Sequence, residues 1–576
     1  MDIIIAEKPN VARKIASIFR NVKYIRYKNI GYFRSDDIAI ISGVGHVYQL
    51  DQIDRNWRYP VFDISWKPAY QVDRDLMHTK PYIELAEMLR ENANRVIVAT
   101  DFDIEGSLIG YNIARYALGR DRDILRMKFS SITYSELNRS WNNLIDFDYP
   151  NAYAGEARHI VDWYYGINLS RFLMASLRAV KNTGLDILSI GRVQAPSLNL
   201  LIQRDDDIDR FIPKDIFSVV ATVDDVEFSN DRRFDSKDDA ERYISNLSTE
   251  GNVELVINEE RRYIYPPDLM TLQERAYYIY KIPPNKTLSL AQSLYEKGMI
   301  SYPRTSSQRY PPDLNIRKIL ESLNIHKSYI QKIISKDKLI PTSGKKTDPA
   351  HPAIYPTGIS AEITTDEAKI YDIIVRTFLA TLSDPMILEI REYRLDVGDI
   401  FTTKSIVIKD QGYLEIFPYT KIDTQEVSID PGLYEVNYRI RKSKTKPPSR
   451  YNQVSILSRL EELKLGTKAT RAAIIQTLFS RGYIYQEKGK IYVTELGRVI
   501  KNVLYNYVPD LFSESFTRAL EEELEKVQEG EQDYRIVINK ARDQLEKIFK
   551  ELEGKEEEIG RELLKNLGSK DSKKVN

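Results

Sequence analysis

Two segments of this chain share one design. "DIIIAEKPNVARKIASIF" begins at residue 2, and "RVIVATDFDIEGSLIGYNIARYAL" spans 95–118. Each reads as a short apolar strand, a polar loop and an amphipathic helix. Strand–loop–helix units assemble as a parallel sheet covered by helices. Ligands of such sheets collect beyond the carboxyl ends of the strands. The loops at Glu7–Lys8 and Asp101–Glu105 are therefore expected to converge, although about 95 residues separate them.

Downstream the pattern changes several times. Residues 151–205 read as mainly helical and end in "SIGRVQAPSLNLLIQRD". Residues 211–265 are strand-like, with "FSVVATV" and "VELVI". A helical stretch follows "YPPD" and ends at Gly298, just before Tyr302. Strands return between 386 and 440, and "KSKTKPPSR" (442–450) reads as a basic linker. Residues 453–494 read as helix, helix and hairpin, a winged-helix-like order that presents a basic face to nucleic acid. The chain thus leaves a β-rich region, builds a helical part around Tyr302, and returns. The segment 514–567 reads as charged helix, and the last residues as a frayed tail.

Charge has to be read locally. The chain of 576 residues carries 84 basic and 84 acidic residues. Between Lys442 and Arg498 there are 12 Lys/Arg against 4 Asp/Glu, and from Glu514 onward 13 against 17. The zero net charge gives no global case for nucleic-acid binding, but a basic region beside an acidic tail means that local charge matters more than the total. There is no cysteine, which excludes disulfides, thiolate zinc sites and cysteine nucleophiles. Five histidines argue against a His-rich metal site. No run of about 18 apolar residues reads as a membrane span, and the N-terminus lacks the pattern of a signal peptide. The expected compartment is the cytoplasm.

Four motifs can carry chemistry. In "TDFDIEG", Asp101, Asp103 and Glu105 alternate after a strand. Like charges so close call for a hard cation such as Mg²⁺; a solvated loop with an Asp capping the next helix is the alternative, and placement at a strand's end favours the metal. In "AEKP", Lys8 can neutralise a phosphate or protonate a leaving oxygen, with Glu7 beside it, although in isolation a surface Glu–Lys pair is the better reading. "SYPRTSSQRYP" offers Tyr302, Arg304, Thr305 and Ser306, where a phenol needs activation to act as a nucleophile and a guanidinium can hold a phosphate. His351, between two prolines in "DPAHPAIYPTG", can donate a hydrogen bond. "LGTKATRAAII" places Thr467, Lys468, Thr470 and Arg471 at a helix start, suited either to an anion or to simple capping.

Taken together, these motifs resemble the type IA DNA topoisomerases, nearest the topoisomerase III branch and archaeal members. The resemblance runs in family order through "IAEKP", "TDFDIEG", "SITYSEL", "AGEARHIVDWYYGINLSR", "SIGRVQAPSLNLL", "ISYPRT", "HPAIYPTG" and "LGTKATRAAIIQTLFSRGYI". It implies a multidomain fold with α/β, α and β parts: an N-terminal Toprim domain followed by a toroidal core with winged-helix-like elements. The implied divisions are a Toprim domain at 1–145, a DNA-groove domain at 146–210 and 441–550, and a β-rich arch at 211–265 and 381–440. Residues 266–380 would carry the tyrosine, and 551–576 would form a charged tail.

The resemblance also implies the reaction. Tyr302 would attack single-stranded DNA to give a 5′-phosphotyrosine, another strand would pass, and the break would be resealed without ATP. That would relax negative supercoils, decatenate DNA, or both, and the chain has no GxxxxGKS/T loop. Lys8, Glu7, Arg304 and His351 would assist Tyr302. Asp101, Asp103, Glu105 and Glu7 would hold Mg²⁺. Arg158, Asp162, Ser189, Arg192, Gln194, Thr470 and Arg471 would contact the strand. A nucleoid-associated monomer is expected, with a helicase partner left open.

Two departures from the family pattern stand out. Ile104 and Ser107 occupy places where the family often has a basic residue and a further glutamate, which weakens the case for a second Mg²⁺. Without cysteine the chain holds no zinc ribbon, and less processive relaxation is expected. The alternatives are a Toprim nuclease, which would not need "SYPRT", and the topoisomerase half of a split reverse-gyrase-like machine.

Overall fold

The computed structural model describes residues 1–54, 56–180 and 188–567. Strands β1 (Asp2–Ala6), β2 (Ile38–Ser42), β3 (Val96–Ala99) and β4 (Ile124–Arg126) run parallel in the spatial order β2, β1, β3, β4. Antiparallel strands extend both edges, Lys23–Tyr27 and Ile30–Arg34 on one side and Ile145–Asp146 on the other. Ile3, Ile4, Ile5, Ile97 and Val98 are wholly buried. A strand covered on both faces needs an apolar residue at every position, which is why these runs do not alternate.

The register of this sheet positions the site. Ala6 pairs with Ser42 on one side and Ala99 on the other. Three segments therefore leave the sheet at one end: Glu7 after β1, Gly43–His46 after β2, and Thr100–Asp103 after β3. Helix α1 (Pro9–Ala16) follows Lys8 and starts on a proline, whose missing N–H costs nothing there. Helix α2 (Ile104–Asn112) follows Asp103.

The two β-rich segments join in one antiparallel sheet. Its order is Gly432–Glu435, Glu250–Arg262, Met386–Asp396, Ile400–Asp410, Val226–Ser229, Asp215–Val223, Asn437–Lys444. The last strand reaches Lys444, so the expected linker at 442–450 begins as strand. Between these segments lies the helical part, with α3 (Pro284–Glu296) and Thr365–Thr381. Its core is continuous with one face of the N-terminal sheet: Ile4, Ala6 and Ile15 cluster with Leu294, Tyr295, Tyr302 and Phe378.

A second large core forms around a long helix, Tyr149–Val180. Helices Gln453–Glu462 and Arg471–Ser480 and the hairpin Ile484–Glu487/Lys490–Val493 occur in the expected winged-helix-like order. The expected charged tail at 551–576 differs in part. Glu556–Leu567 is an amphipathic helix whose Ile559 and Leu563 are wholly buried in the same core as the long helix. Its apolar residues recur at helical spacing, and burying that stripe outweighs the repulsion of a charged surface. Residues 568–576 lie outside the described residues.

Candidate active site

Glu7, Asp101 and Asp103 meet where β1 and β3 end. The Asp101 amide donates to Glu7 Oε2 at 3.4 Å. Arg126, wholly buried at the end of β4, donates to Thr100 Oγ1 at 2.9 Å and to the Asp101 carbonyl at 2.6 Å, which fixes the loop backbone. Gly106 is required by close approach, because a Cβ there would lie 2.2 Å from the Asp101 carbonyl oxygen. Asp103 does cap α2, accepting from the Gly106 amide at 2.7 Å. The acidic loop is therefore extended only to Asp103, and Glu105 belongs to the first helical turn.

The electrostatics fit a cation. Burial, then the Asp103 carboxylate, pushes Asp101 up to about 6, while Arg304, Tyr295 and Gln292 pull it down. Burial, then Asp101 and Asp103, raises Glu7 well above the usual carboxylate range, with Arg304 and Lys8 opposing. Burial and mutual repulsion thus disfavour charge on these acids, and a hard divalent ion among them would relieve that repulsion. One consequence is measurable. Asp101 binds its proton more tightly folded than unfolded, so its contribution to stability is greatest below pH ~4 and falls until about pH 6. Asp101→Asn should therefore raise the metal-free melting temperature near neutral pH by about 2–5 °C and flatten that acid-side slope. The same variant should lose Mg²⁺-dependent cleavage. A lower melting temperature in differential scanning fluorimetry would show that the charge is already compensated.

Tyr302 stands in a loop that the backbone ties down. Gly298, with φ of 82°, reverses the chain after α3. The Ser301 amide then donates to the Tyr355 carbonyl at 3.0 Å, and the Tyr302 amide to the Ser130 carbonyl at 2.8 Å. Pro303 has no N–H left to satisfy. The Tyr302 phenol donates to Asp103 Oδ2 at 2.5 Å. Arg304 Nη1 lies 3.6 Å from that same oxygen, and Arg304 Nε is buried without a partner. The Tyr302 ring packs 4.3 Å from the His351 ring and 5.2 Å from Tyr295. Burial, then Asp103, lifts the Tyr302 phenol well above its ordinary pKa, with Arg304 opposing. At 1% exposure the phenol is shielded, so a substrate reaches it only when these parts separate.

Several site residues differ from expectation. Glu105 does not join Glu7 and Asp101; its Oε2 accepts from His46 Nε2 and His159 Nε2, both at 2.9 Å. Burial works against its charge, yet His159 and His46 hold it well below the usual range. His351 donates from Nε2 to the Phe102 carbonyl at 2.9 Å, and burial pushes its pKa down to about 4. The neutral ring then has only an acceptor at Nδ1, so in this conformation it offers a phosphate no donor. Lys8 Nζ is paired with Glu296 Oε1 at 2.5 Å. Gln292, Tyr295 and Glu296 were not singled out from sequence. Their spacing on α3 puts them on one face, which is the signal that was there to read.

Most of the residues expected to line a strand-binding groove are engaged within the protein. Arg158 donates from both terminal nitrogens to Glu521, at 3.0 and 2.7 Å. Arg192, whose side chain is wholly buried, donates to Glu521 at 2.8 Å and to Asp162 at 3.0 Å. Ser189 exchanges backbone hydrogen bonds with the Tyr483 hydroxyl. Gln194 Oε1 is buried without a partner. Arg471 donates to the Leu465 carbonyl at 3.3 Å, and Thr470 Oγ1 accepts from the Thr467 amide instead of capping the helix. Lys468 pairs with Asp348, which also accepts from the Ser306 amide and hydroxyl. A cavity of about 410 Å³ runs between these parts, lined by Asp103, Glu105, Arg158, Thr305, His351 and Lys468 among others.

Comparison with known proteins decides the family. A family model described as DNA topoisomerase matches residues 146–539, and one described as Toprim domain matches 2–132. The chain belongs to the type IA DNA topoisomerases. It is 37% identical to DNA topoisomerase 1 of Pyrococcus horikoshii, covering 100% of this chain and 87% of that protein. It is 39% identical to DNA topoisomerase 1 of Methanocaldococcus jannaschii, covering 99% and 77%. Full-length topoisomerase I of Thermotoga maritima shares the fold, with a TM-score of 0.72 at 24% identity over 95% of this chain and 90% of that one. A Toprim nuclease would not account for the topoisomerase match across 146–539. As a type IA topoisomerase, the chain has the expected Toprim domain followed by the family core. Among the described residues no helix is long and apolar enough to cross a membrane.

Proposed function

We propose that this type IA topoisomerase cuts single-stranded DNA with Tyr302, passes a second strand through the break and reseals it. The observation that carries the assignment is the Asp103 oxygen shared by the Tyr302 phenol at 2.5 Å and Arg304 at 3.6 Å. Asp103 is positioned to take the phenol proton, and Arg304 to meet the phosphate that Tyr302 attacks. The bond from Tyr302 Oη to phosphorus forms as the bond from phosphorus to O3′ breaks. Lys8, or protonated Glu7, delivers the proton to that O3′. The phosphate ester on Tyr302 keeps the bond energy, so the 3′-hydroxyl can reverse the attack without ATP.

Mg²⁺ is the cofactor of this reading: Asp101 and Asp103, with Glu7 when it is ionised, would hold it, and it would supply positive charge to the phosphate oxygens. Glu105 joins that set only if it leaves His46 and His159. The strand reaches Arg158, Arg192 and the Thr470–Arg471 turn when the arch opens. Negatively supercoiled or catenated DNA in the cytoplasm, at the nucleoid, is the substrate. The enzyme acts as a monomer, with a helicase as a partner for some tasks.

An oligonucleotide labelled at one end tests this. Incubation with Mg²⁺ and a detergent stop should leave protein on the new 5′-phosphate end created at the break and a free 3′-hydroxyl on the other end. Attachment to a 3′-phosphate end with a free 5′-hydroxyl, or cleavage with no attached protein, would overturn the proposed chemistry.

A further inference from the structure

We infer that His46, Glu105 and His159 form a binding site for a borderline first-row divalent ion of the Zn²⁺ class, distinct from the all-carboxylate set at Glu7, Asp101 and Asp103. The three side chains come from different elements. His46 follows the end of β2, Glu105 is in the first turn of α2, and His159 lies on the long helix Tyr149–Val180. Each histidine Nε2 is 2.9 Å from Glu105 Oε2, and the candidate ligand atoms all lie within 4.8 Å of one another. The two imidazole rings are 4.8 Å apart. Ligands of a tetrahedral zinc site stand about 2.0–2.2 Å from the ion, so closure around one needs only small side-chain movements.

The packing holds this geometry. Gly155 lets the long helix close on α2, since a Cβ there would sit 3.0 Å from the Ile104 side chain and carbonyl. Ile104 precedes Glu105, and His159 is one helical turn beyond Gly155. Glu105 also lines the cavity beside Asp103 and Arg158. A fourth coordination position is therefore open to water or an anion from that side.

The donor set selects the ion. Mg²⁺ takes oxygen ligands, whereas imidazole nitrogen suits Zn²⁺, Co²⁺ and Ni²⁺. Two imidazoles and one carboxylate are a familiar three-ligand count for zinc with one position left open. A simple ion pair would be complete with one imidazole; here two address the same oxygen. On binding, each Nε2 gives up its proton, by release to water or by transfer to Nδ1, and the freed lone pair goes to the ion. The chain's five histidines argued against such a site, but composition counts residues and does not see that two of them converge.

The test uses the full-length protein stripped with chelator and titrated with Co²⁺, whose visible absorption reports coordination. The expected result is one equivalent bound with a four-coordinate spectrum, displaced by Zn²⁺ but not by millimolar Mg²⁺. His46→Ala and His159→Ala should each weaken Co²⁺ binding more than ~100-fold. His46→Gln and His159→Asn, which keep polar side chains of similar reach, should do the same, and circular dichroism shows whether each variant is folded. Co²⁺ displaced by Mg²⁺, or lost in Asp101→Asn and retained in the folded histidine variants, would move the ion to the carboxylate set and overturn the inference. No stoichiometric Co²⁺ binding would also overturn it, leaving an imidazole–carboxylate contact alone. None of these readouts depends on DNA cleavage, so they stand or fall separately from the proposed reaction.

Discussion

Tyr302→Phe should abolish covalent capture of DNA and leave the protein folded. Phenylalanine keeps the ring that packs against His351 and Tyr295, and only the hydroxyl is lost. That hydroxyl is the donor to Asp103 Oδ2, so one buried carboxylate loses one hydrogen bond, a change of about 1–2 kcal/mol. Arg304 remains beside the same oxygen and limits the cost. Removing a nucleophile has a far larger effect on rate, at least ~10⁴-fold by comparison with other covalent enzymes. The measurement pairs detergent-trapped adduct on a labelled oligonucleotide with relaxation of negatively supercoiled plasmid. Both signals should vanish while the melting temperature and binding of uncleavable single strands stay close to wild type. An adduct that persists in Tyr302→Phe would place the nucleophile elsewhere and remove the basis for the mechanism.

Glu521→Ala should cost more stability than any other single change considered. Glu521 accepts from Arg158 and Arg192 together, and all three side chains are buried. Burial works against its charge, but the two guanidiniums hold its pKa at about 2. Taking the carboxylate away leaves Arg158 without its partner and Arg192 with only the half-exposed Asp162. Breaking a buried pair in this way costs about 3–5 kcal/mol. Urea or thermal unfolding should show the loss. The paired carboxylate has a folded pKa below its unfolded value of ~4.3, so its stabilisation is present above that pH and disappears between about pH 4 and 2. Glu521→Ala should lack this acid-side decline. A double-mutant cycle with Arg158→Met should give a coupling of more than ~1 kcal/mol. Coupling near zero would mean that the pair is already solvated. The result also bears on DNA binding, because a strand that contacts Arg158 or Arg192 has to compete with Glu521.

Much of the site's neighbourhood was legible locally. The apolar run at Asp2–Ala6, the acidic loop after β3 and the turn at Gly298 are each set by residues close in sequence. Strand pairing then fixed their meeting, because the Ala6–Ala99 register delivers Glu7 and Asp101 to one place. Tyr302 was legible as a constrained residue for the same reason, with Gly298 before it and Pro303 after it.

The partners of those residues were not legible. Glu521 meets Arg158 from 363 positions away, and His46 and His159 meet Glu105 from 59 and 54. The motif "TDFDIEG" suggested three carboxylates around one cation, yet α2 begins at Ile104 and Glu105 pairs with the histidines. His351 was singled out as a donor, and its donor is spent on Phe102.

The sequence by itself determined the elements, the order of the motifs and the constrained turn that holds Tyr302, since these depend on periodicity, glycine and proline within a few residues. The tertiary structure alone decided which charges are buried together, which carboxylate turns to the histidines and which arginines are already occupied. Those outcomes depend on side chains brought together by packing, and burial alters their pKa values and pairings in ways that no local pattern encodes.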